Sequence, residues 1–272
     1  MSGKHQSGWL RCTIGVGLAT ALAAGATALA AGAAGAEQTP GWNGDVAVSF
    51  TAQTGTIDTI SGTLDAKGER VEEQDVYNLR LRGDFGRSRE RGSSQDKVIQ
   101  NAQGLTGGWK HTFTDLFFWN SDFELSRDNI QQRDVRATIA TGPGVRAWHG
   151  EDAAVSHFDL NAGVGYRFDK FDGNGNQAGA FNSESHFVDL VAGFEYKNLL
   201  FDDRMEFTHT GKAQMPANEP SAYLLTTEVI IGLPLTEAWS FRTSFLAQYT
   251  AQTPDEINRT KTVTTIGLGY KF

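Results

Sequence analysis

From residue 42 to the C-terminus, side-chain character alternates from one residue to the next in runs much longer than an ordinary strand. Tyr77, Leu79, Leu81 and Phe85 interleave with Asn78, Arg80, Arg82 and Asp84. Phe117, Trp119, Phe123 and Leu125 oppose Asn120, Asp122, Glu124 and Ser126. Phe158, Leu160, Ala162, Val164, Tyr166 and Phe168 are set against His157, Asp159, Asn161, Gly163, Gly165, Arg167 and Asp169. Trp239, Phe241, Phe245 and Tyr249 stand against Ser240, Arg242, Ser244 and Gln248. A period of two marks a strand with one greasy and one polar face. The pattern predicts twelve strands, over residues 42–54, 56–67, 74–89, 96–113, 115–128, 131–148, 152–171, 182–199, 203–215, 220–235, 238–252 and 259–272.

Two architectures share this alternation. A soluble sandwich hides the greasy face and wets the charged one, whereas a membrane β-barrel turns the greasy face to lipid and lines its interior with polar groups. Strand length chooses between them. Soluble strands run to about 5–6 residues, and the predicted ones are long enough to cross a tilted hydrocarbon core of about 30 Å. The 31 Gly and 6 Pro suit a folded chain rich in turns. No internal run of about 18 apolar residues follows the N-terminus, so a helical membrane protein is excluded. The mean hydropathy of −0.36 does not exclude a barrel, because only alternate residues face lipid. Connection lengths agree. Thr114-Asp115, 198–203 and Thr236-Glu237 are short, as periplasmic turns are, while 88–95, 172–181, 213–220 and 253–258 are longer and polar. Two links break the rule, a longish periplasmic one at 68–73 and a short outer one at Thr54-Gly55. Trp42, Trp109, Trp119, Trp148, Trp239 and Phe272 lie near strand ends, where interfacial girdles form. The fold class expected is therefore an all-β, antiparallel transmembrane barrel of about twelve strands.

The N-terminus reads as a signal peptide. Lys4 and Arg11 form a basic segment, residues 13–31 are a small and apolar run, and Ala34-Gly35-Ala36 supplies a cleavage site before Glu37. Residues 1–36 are thus expected to be removed, leaving 37–272 as the barrel domain. Cys12 leaves with the leader, so the mature chain has no cysteine and needs no disulfide in an oxidising compartment. Loss of Lys4 and Arg11 takes the formal net charge from −8 to −10, an acidic balance that argues against a nucleic-acid partner.

The last strand alternates Ile266, Leu268, Tyr270 and Phe272 with Lys261, Val263, Thr265, Gly267, Gly269 and Lys271, and it stops on an aromatic residue. This ending resembles the C-terminal signal of bacterial outer-membrane barrels. That resemblance implies export through the secretory pathway, recognition by the barrel assembly machinery and residence among outer-membrane lipids in a Gram-negative envelope. A second resemblance rests on the segment from Ser126 to Arg136, on Gly142-Pro143-Gly144-Val145-Arg146, on Trp42-Asn43-Gly44 and on Gly163-Val164-Gly165-Tyr166-Arg167-Phe168. Together they resemble family 481 of the domains of unknown function, over about residues 42–272. The turn Gln53-Thr54-Gly55-Thr56-Ile57-Asp58 departs from the Ser-Gly-Asn-Thr type associated with that family. Its members are labelled salt-induced outer membrane proteins. The label implies location, architecture and a link to salt or osmotic stress, but no reaction or ligand.

The polar face expected to line the interior carries Arg80, Arg82, Asp84, Lys110, Asp122, Glu124, Asp134, Arg136, Arg146, Asp159, Arg167, Asp189, Glu195, Lys197, Glu206, Lys212, Glu228, Arg242 and Lys271. A single-sign ring would indicate an ion-selective pore. Ten cations beside nine acids instead indicate salt-bridged side chains that brace a filled barrel, with a narrow porin-like conduit for ions or small polar solutes as the alternative. Arg80, Arg82, Asp122, Glu124, Asp134, Arg136, Arg146, Asp159 and Arg167 are the expected lumen network. Within it, Arg133-Asp134-Val135-Arg136 is expected to meet Asp122 and Glu124 on the preceding strand. A third reading is a membrane-embedded hydrolase, for which His111, His186 and His209 face outward by parity. No outward Ser accompanies Phe207-Thr208-His209-Thr210-Gly211, so no catalytic set is assigned. Asp172-Gly173-Asn174-Gly175-Asn176 opens like a calcium loop, but Gln177 and Ser183 replace the sixth-position Gly and the closing Glu. No cofactor or metal is therefore expected, and the sequence leaves the oligomeric state open.

Overall fold

The computed structural model describes residues 42–53, 57–90, 95–153, 156–171, 184–202, 204–253 and 258–271. The leader over 1–36, the Thr54-Gly55 turn, the Asp172-Gly173-Asn174-Gly175-Asn176 loop and Phe272 lie outside the described residues. Twelve strands follow one another: β1 (Trp42–Gln53), β2 (Ile57–Glu72), β3 (Asp75–Glu90), β4 (Lys97–Thr112), β5 (Phe117–Asp128), β6 (Arg133–His149), β7 (His157–Phe171), β8 (Glu184–Leu200), β9 (Met205–Pro216), β10 (Leu224–Pro234), β11 (Trp239–Thr250) and β12 (Thr260–Lys271). Every strand pairs antiparallel with its sequence neighbours, and β12 returns to β1, so the sheet closes. Closure satisfies every strand edge, which a sheet surrounded by lipid requires. Tracing paired residues once around from Val46 returns to β1 roughly 16 residues further on, a stagger that goes with steeply tilted strands, ~35–45° from the axis.

Burial is inverted relative to a water-soluble domain. Leu81, Leu125, Ile139, Val164, Leu190, Ile266 and Leu268 are all exposed on the outer wall, while Arg136, Arg167, Asp169 and Asp189 are buried inside. Such an exterior is costly in water and stable in hydrocarbon. The chain is a membrane barrel.

Boundaries moved where local geometry overrode the pattern. The long link anticipated at 68–73 is strand: Gly68 pairs with Leu79 and Glu72 with Asp75, and the chain reverses through Glu73 and Gln74, with Glu73 at φ 32°. β7 starts at His157 rather than at 152. Just before it, Ser156 N donates to Asp152 O and Gly150 N to Ser156 O, bonds outside the strand ladder. β10 starts at Leu224 because Pro220–Ala222 forms a 3-10 turn, whose proline has no N–H to offer a ladder.

The end of the barrel that carries Trp42 and Lys271 is called the lower end below. Trp109, Trp119, Trp148 and Trp239 all lie toward it, beside the β2–β3, β4–β5, β6–β7 and β10–β11 links, so these four tryptophans form one girdle and not two. Within that girdle Trp239 packs edge-on against Tyr270 at 5.1 Å and Trp148 lies 6.1 Å from Tyr196. Toward the upper end, Tyr223 stacks on Tyr249 at 5.7 Å.

Candidate functional site in the barrel lumen

The inward face of each strand delivers its polar residues to a shared interior, where they meet at three heights. At mid-height Arg80 of β3 forms two pairs at once. Its guanidinium donates to Asp65 on neighbouring β2 at 2.8 and 2.6 Å, and to Glu228 at 2.5 and 2.7 Å. Glu228 is on β10, five strands away by the shorter path around a ring of twelve. Arg82 joins the same carboxylate at 3.2 Å and also holds Asp84. This crossing therefore spans nearly the full width of the lumen. Higher up, Lys261 of β12 reaches Asp128 of β5 at 2.6 Å, again five strands apart.

Beside that upper crossing is the most deeply buried charge cluster. Arg136 is fully buried and grips Asp169 with Nε at 2.5 Å and Nη2 at 2.9 Å. Arg167 sits over the Phe187 ring at 4.4 Å, faces Asp189 at 3.2 Å, and donates to the Ala222 carbonyl at 3.0 Å. That carbonyl belongs to the 3-10 turn, so the β9–β10 link is tied down over the lumen by an arginine from its wall.

Toward the lower end Asp159 of β7 receives Arg146 at 2.9 and 3.3 Å and also the Lys110 ammonium. Lys110 rests over the Phe118 ring at 4.5 Å. Phe118 in turn fills the place of a side chain at Gly144, where an added Cβ would come within 2.2 Å of the ring. Arg242 pairs with Asp45 at the same end. Alongside these ties runs an interior cavity of about 570 Å³, reaching from Val71 and Thr112 near the lower end to Arg127 and Lys261 near the upper end, its lining among the described residues drawn from β2 to β12. Asp122 and Glu124 face it from β5 and Lys212 from β9. Asp122 receives Asn120 Nδ2 at 2.7 Å and Glu124 receives Ser126 Oγ at 3.0 Å.

Two parts of the network differ from the sequence reading. Arg136 meets β7 and not β5, because the register sets Ser126 opposite it on one side and Asp169 on the other. Asp122 and Glu124 oppose Ala140 and Thr138, which leaves them facing the cavity. Asp134 does not enter the lumen network. Register shifts between Ser126 and Asp128 and between Arg133 and Val135 break the parity at that end, and the Asp134 side chain is 39% exposed with Arg127 3.9 Å away. Arg80, Arg82, Arg146, Asp159 and Arg167 are brought into ion pairs as described. Asp65, Asp128, Asp169, His157 and Lys261 also belong to the network; Asp65, Asp169 and His157 meet partners on their own or adjoining strands, and only Lys261 and Asp128 pair across the ring, where sequence gives no signal.

The outward histidines bond to their neighbours. His111 Nδ1 lies 2.9 Å from Asp75, His186 Nδ1 2.5 Å from Tyr166 Oη, and His209 Nε2 3.0 Å from Thr227 Oγ1. Thr227 donates onward to the Thr210 carbonyl. On β12, Ile266 and Leu268 face outward and Tyr270 joins the lower girdle.

Residues 46–272 match the family described as "Protein of unknown function, DUF481". No curated protein matches the chain in sequence. Solved structures with similar backbones include the translocator domain of autotransporter NalP from Neisseria meningitidis, at 13% identity, TM-score 0.49, 94% of this chain and 97% of that one. Others are the KdgM porin (10% identity, TM-score 0.39, 85% of this chain and 99% of that one) and the NanC porin (8%, 0.41, 84% and 96%).

Proposed function

The chain belongs to the DUF481 family, whose description assigns no activity, and from its lumen we propose that it is a structural component of the bacterial outer membrane with a braced interior. The observation that carries this reading is the mid-height crossing, in which Glu228 binds both Arg80 and Arg82 from the far side of the barrel. A carboxylate shared by two guanidinium groups ties opposite walls together and occupies the space through which a solute would pass. The Lys261–Asp128 tie is a second crossing nearer the upper end, and the Arg136–Asp169 pair braces adjacent strands beside it.

In this account residues 1–36 direct export and are removed, the lower end faces the periplasm, and Ile266, Leu268, Tyr270 and Phe272 are read by the barrel assembly machinery. The link to salt or osmotic stress comes from the family resemblance alone. A second reading, a narrow conduit for ions or small polar solutes, is favoured by one feature: the 570 Å³ cavity with Asp122, Glu124 and Lys212 on its wall. Liposome swelling separates the two. Vesicles carrying the barrel should swell in iso-osmotic arabinose or glycine no faster than protein-free vesicles. Swelling at a porin-like rate would refute the braced reading.

A further inference from the structure

Three side chains converge near the lower end of the lumen. His157 opens β7, Asp159 follows two residues later on the same inward face, and Glu195 of β8 is directly opposite Asp159 in the register. One ligand atom from each lies within 4.8 Å of the others. His157 Nε2 is 3.7 Å from Glu195 Oε2 and 3.9 Å from Asp159 Oδ2, and all three residues line the cavity.

The histidine tautomer follows from its other nitrogen. Nδ1 is 2.9 Å from the Ala153 carbonyl oxygen, which only accepts, so Nδ1 carries the hydrogen. In the neutral ring Nε2 is then a bare lone pair. It makes no hydrogen bond, although the His157 side chain is only 8% exposed. A lone pair facing two carboxylate oxygens is repulsive unless a cation stands between them. The two spacings from Nε2, 3.7 and 3.9 Å, lie near the ~3.4 Å edge of a tetrahedron built on bonds of about 2.1 Å, the geometry of zinc-class ions, and the third spacing is within 4.8 Å.

We propose that His157, Asp159 and Glu195 form a three-ligand site for a divalent transition-metal ion of the zinc class, with the fourth position open to the cavity. One imidazole and two carboxylates suit such an ion better than calcium, which takes six to eight oxygens. Arg146 orients Asp159 through Oδ1 at 2.9 Å and also reaches Oδ2 at 3.3 Å. Lys110 holds the same Oδ2 that the metal would use, so its ammonium is the competitor that the ion displaces. The proposal goes beyond the braced-barrel reading and does not depend on it, since the site lies below the Arg80–Glu228 crossing whether or not solutes pass.

The test uses the full mature barrel, without a polyhistidine tag, refolded in detergent and stripped of metal. Cobalt(II) is titrated in as a spectroscopic probe. One equivalent should bind and give the intense d–d bands of four-coordinate cobalt, which zinc abolishes by displacement, leaving only the weak bands of the aquo ion. His157→Ala and Glu195→Gln should each weaken binding by about 100-fold while keeping the heat-modifiable band of a folded barrel, and Lys110→Met should tighten it about 10-fold. A wild-type spectrum at millimolar cobalt that shows only the weak d–d bands of the aquo ion would overturn the proposal. So would intense bands that persist unchanged in folded His157→Ala and Glu195→Gln.

Discussion

Among single residues, Arg136 and Asp134 are separated by one position and have opposite fates. Arg136 is buried against Asp169, whose side chain is 4% exposed, so truncating the arginine strands a carboxylate away from water. Breaking such a pair from one side costs about 3–5 kcal/mol. Asp134 has an exposed side chain and a partner 3.9 Å away, and ion pairs of that kind contribute little. Urea unfolding of the barrel in lipid vesicles should therefore show Arg136→Ala destabilised by about 3 kcal/mol or more. Asp134→Ala should stay within about 0.5 kcal/mol of wild type. Equal losses in the two variants would mean that the bulge does not separate them. The sequence showed both residues as inward by parity. It could not show the register shift that turns one of them out, because a bulge is decided by how two strands accommodate each other.

For elements, alternation sufficed to place all twelve strands in order, because the period of two survives for a dozen residues or more in most of them. It failed where the cause was local chain geometry. Glu69, Arg70 and Glu72 look like turn residues in sequence, yet they continue β2 beside β3 down to a two-residue reversal. Pro220 looks like a strand start and instead opens a 3-10 turn, which places the Ala222 carbonyl where Arg167 can reach it. The seam between β1 and β12 has five paired positions, from Asp45–Lys271 to Ser49–Gly267, against twelve between β1 and β2. Ile266 lies next to that seam on the outer wall, at 58% exposure. An arginine there has to leave water for the hydrocarbon belt, at a cost of about 2–4 kcal/mol near the midplane. Ile266→Arg should lower the fraction of heat-modifiable barrel after refolding into vesicles. An undiminished fraction would argue that this face of β12 does not contact lipid.

For the whole molecule, closure and inversion could be read in advance, because a greasy face on long strands with no covering element has only lipid to face. The pairing across the lumen could not. Which charges meet across a ring depends on stagger and tilt, and no local pattern reveals that Glu228 and Arg80, 148 positions apart, share a bond of 2.5 Å. That bond is the centre of the account, since it is the tie that crosses the lumen at mid-height beside the cavity. Single-channel recording in planar bilayers tests it most directly, with the wild type compared with Glu228→Gln. The wild type should be quiet, and Glu228→Gln, in which Arg80 and Arg82 lose their far-wall carboxylate, should show stable conductance steps. Stable steps in the wild type, unchanged by the substitution, would contradict it.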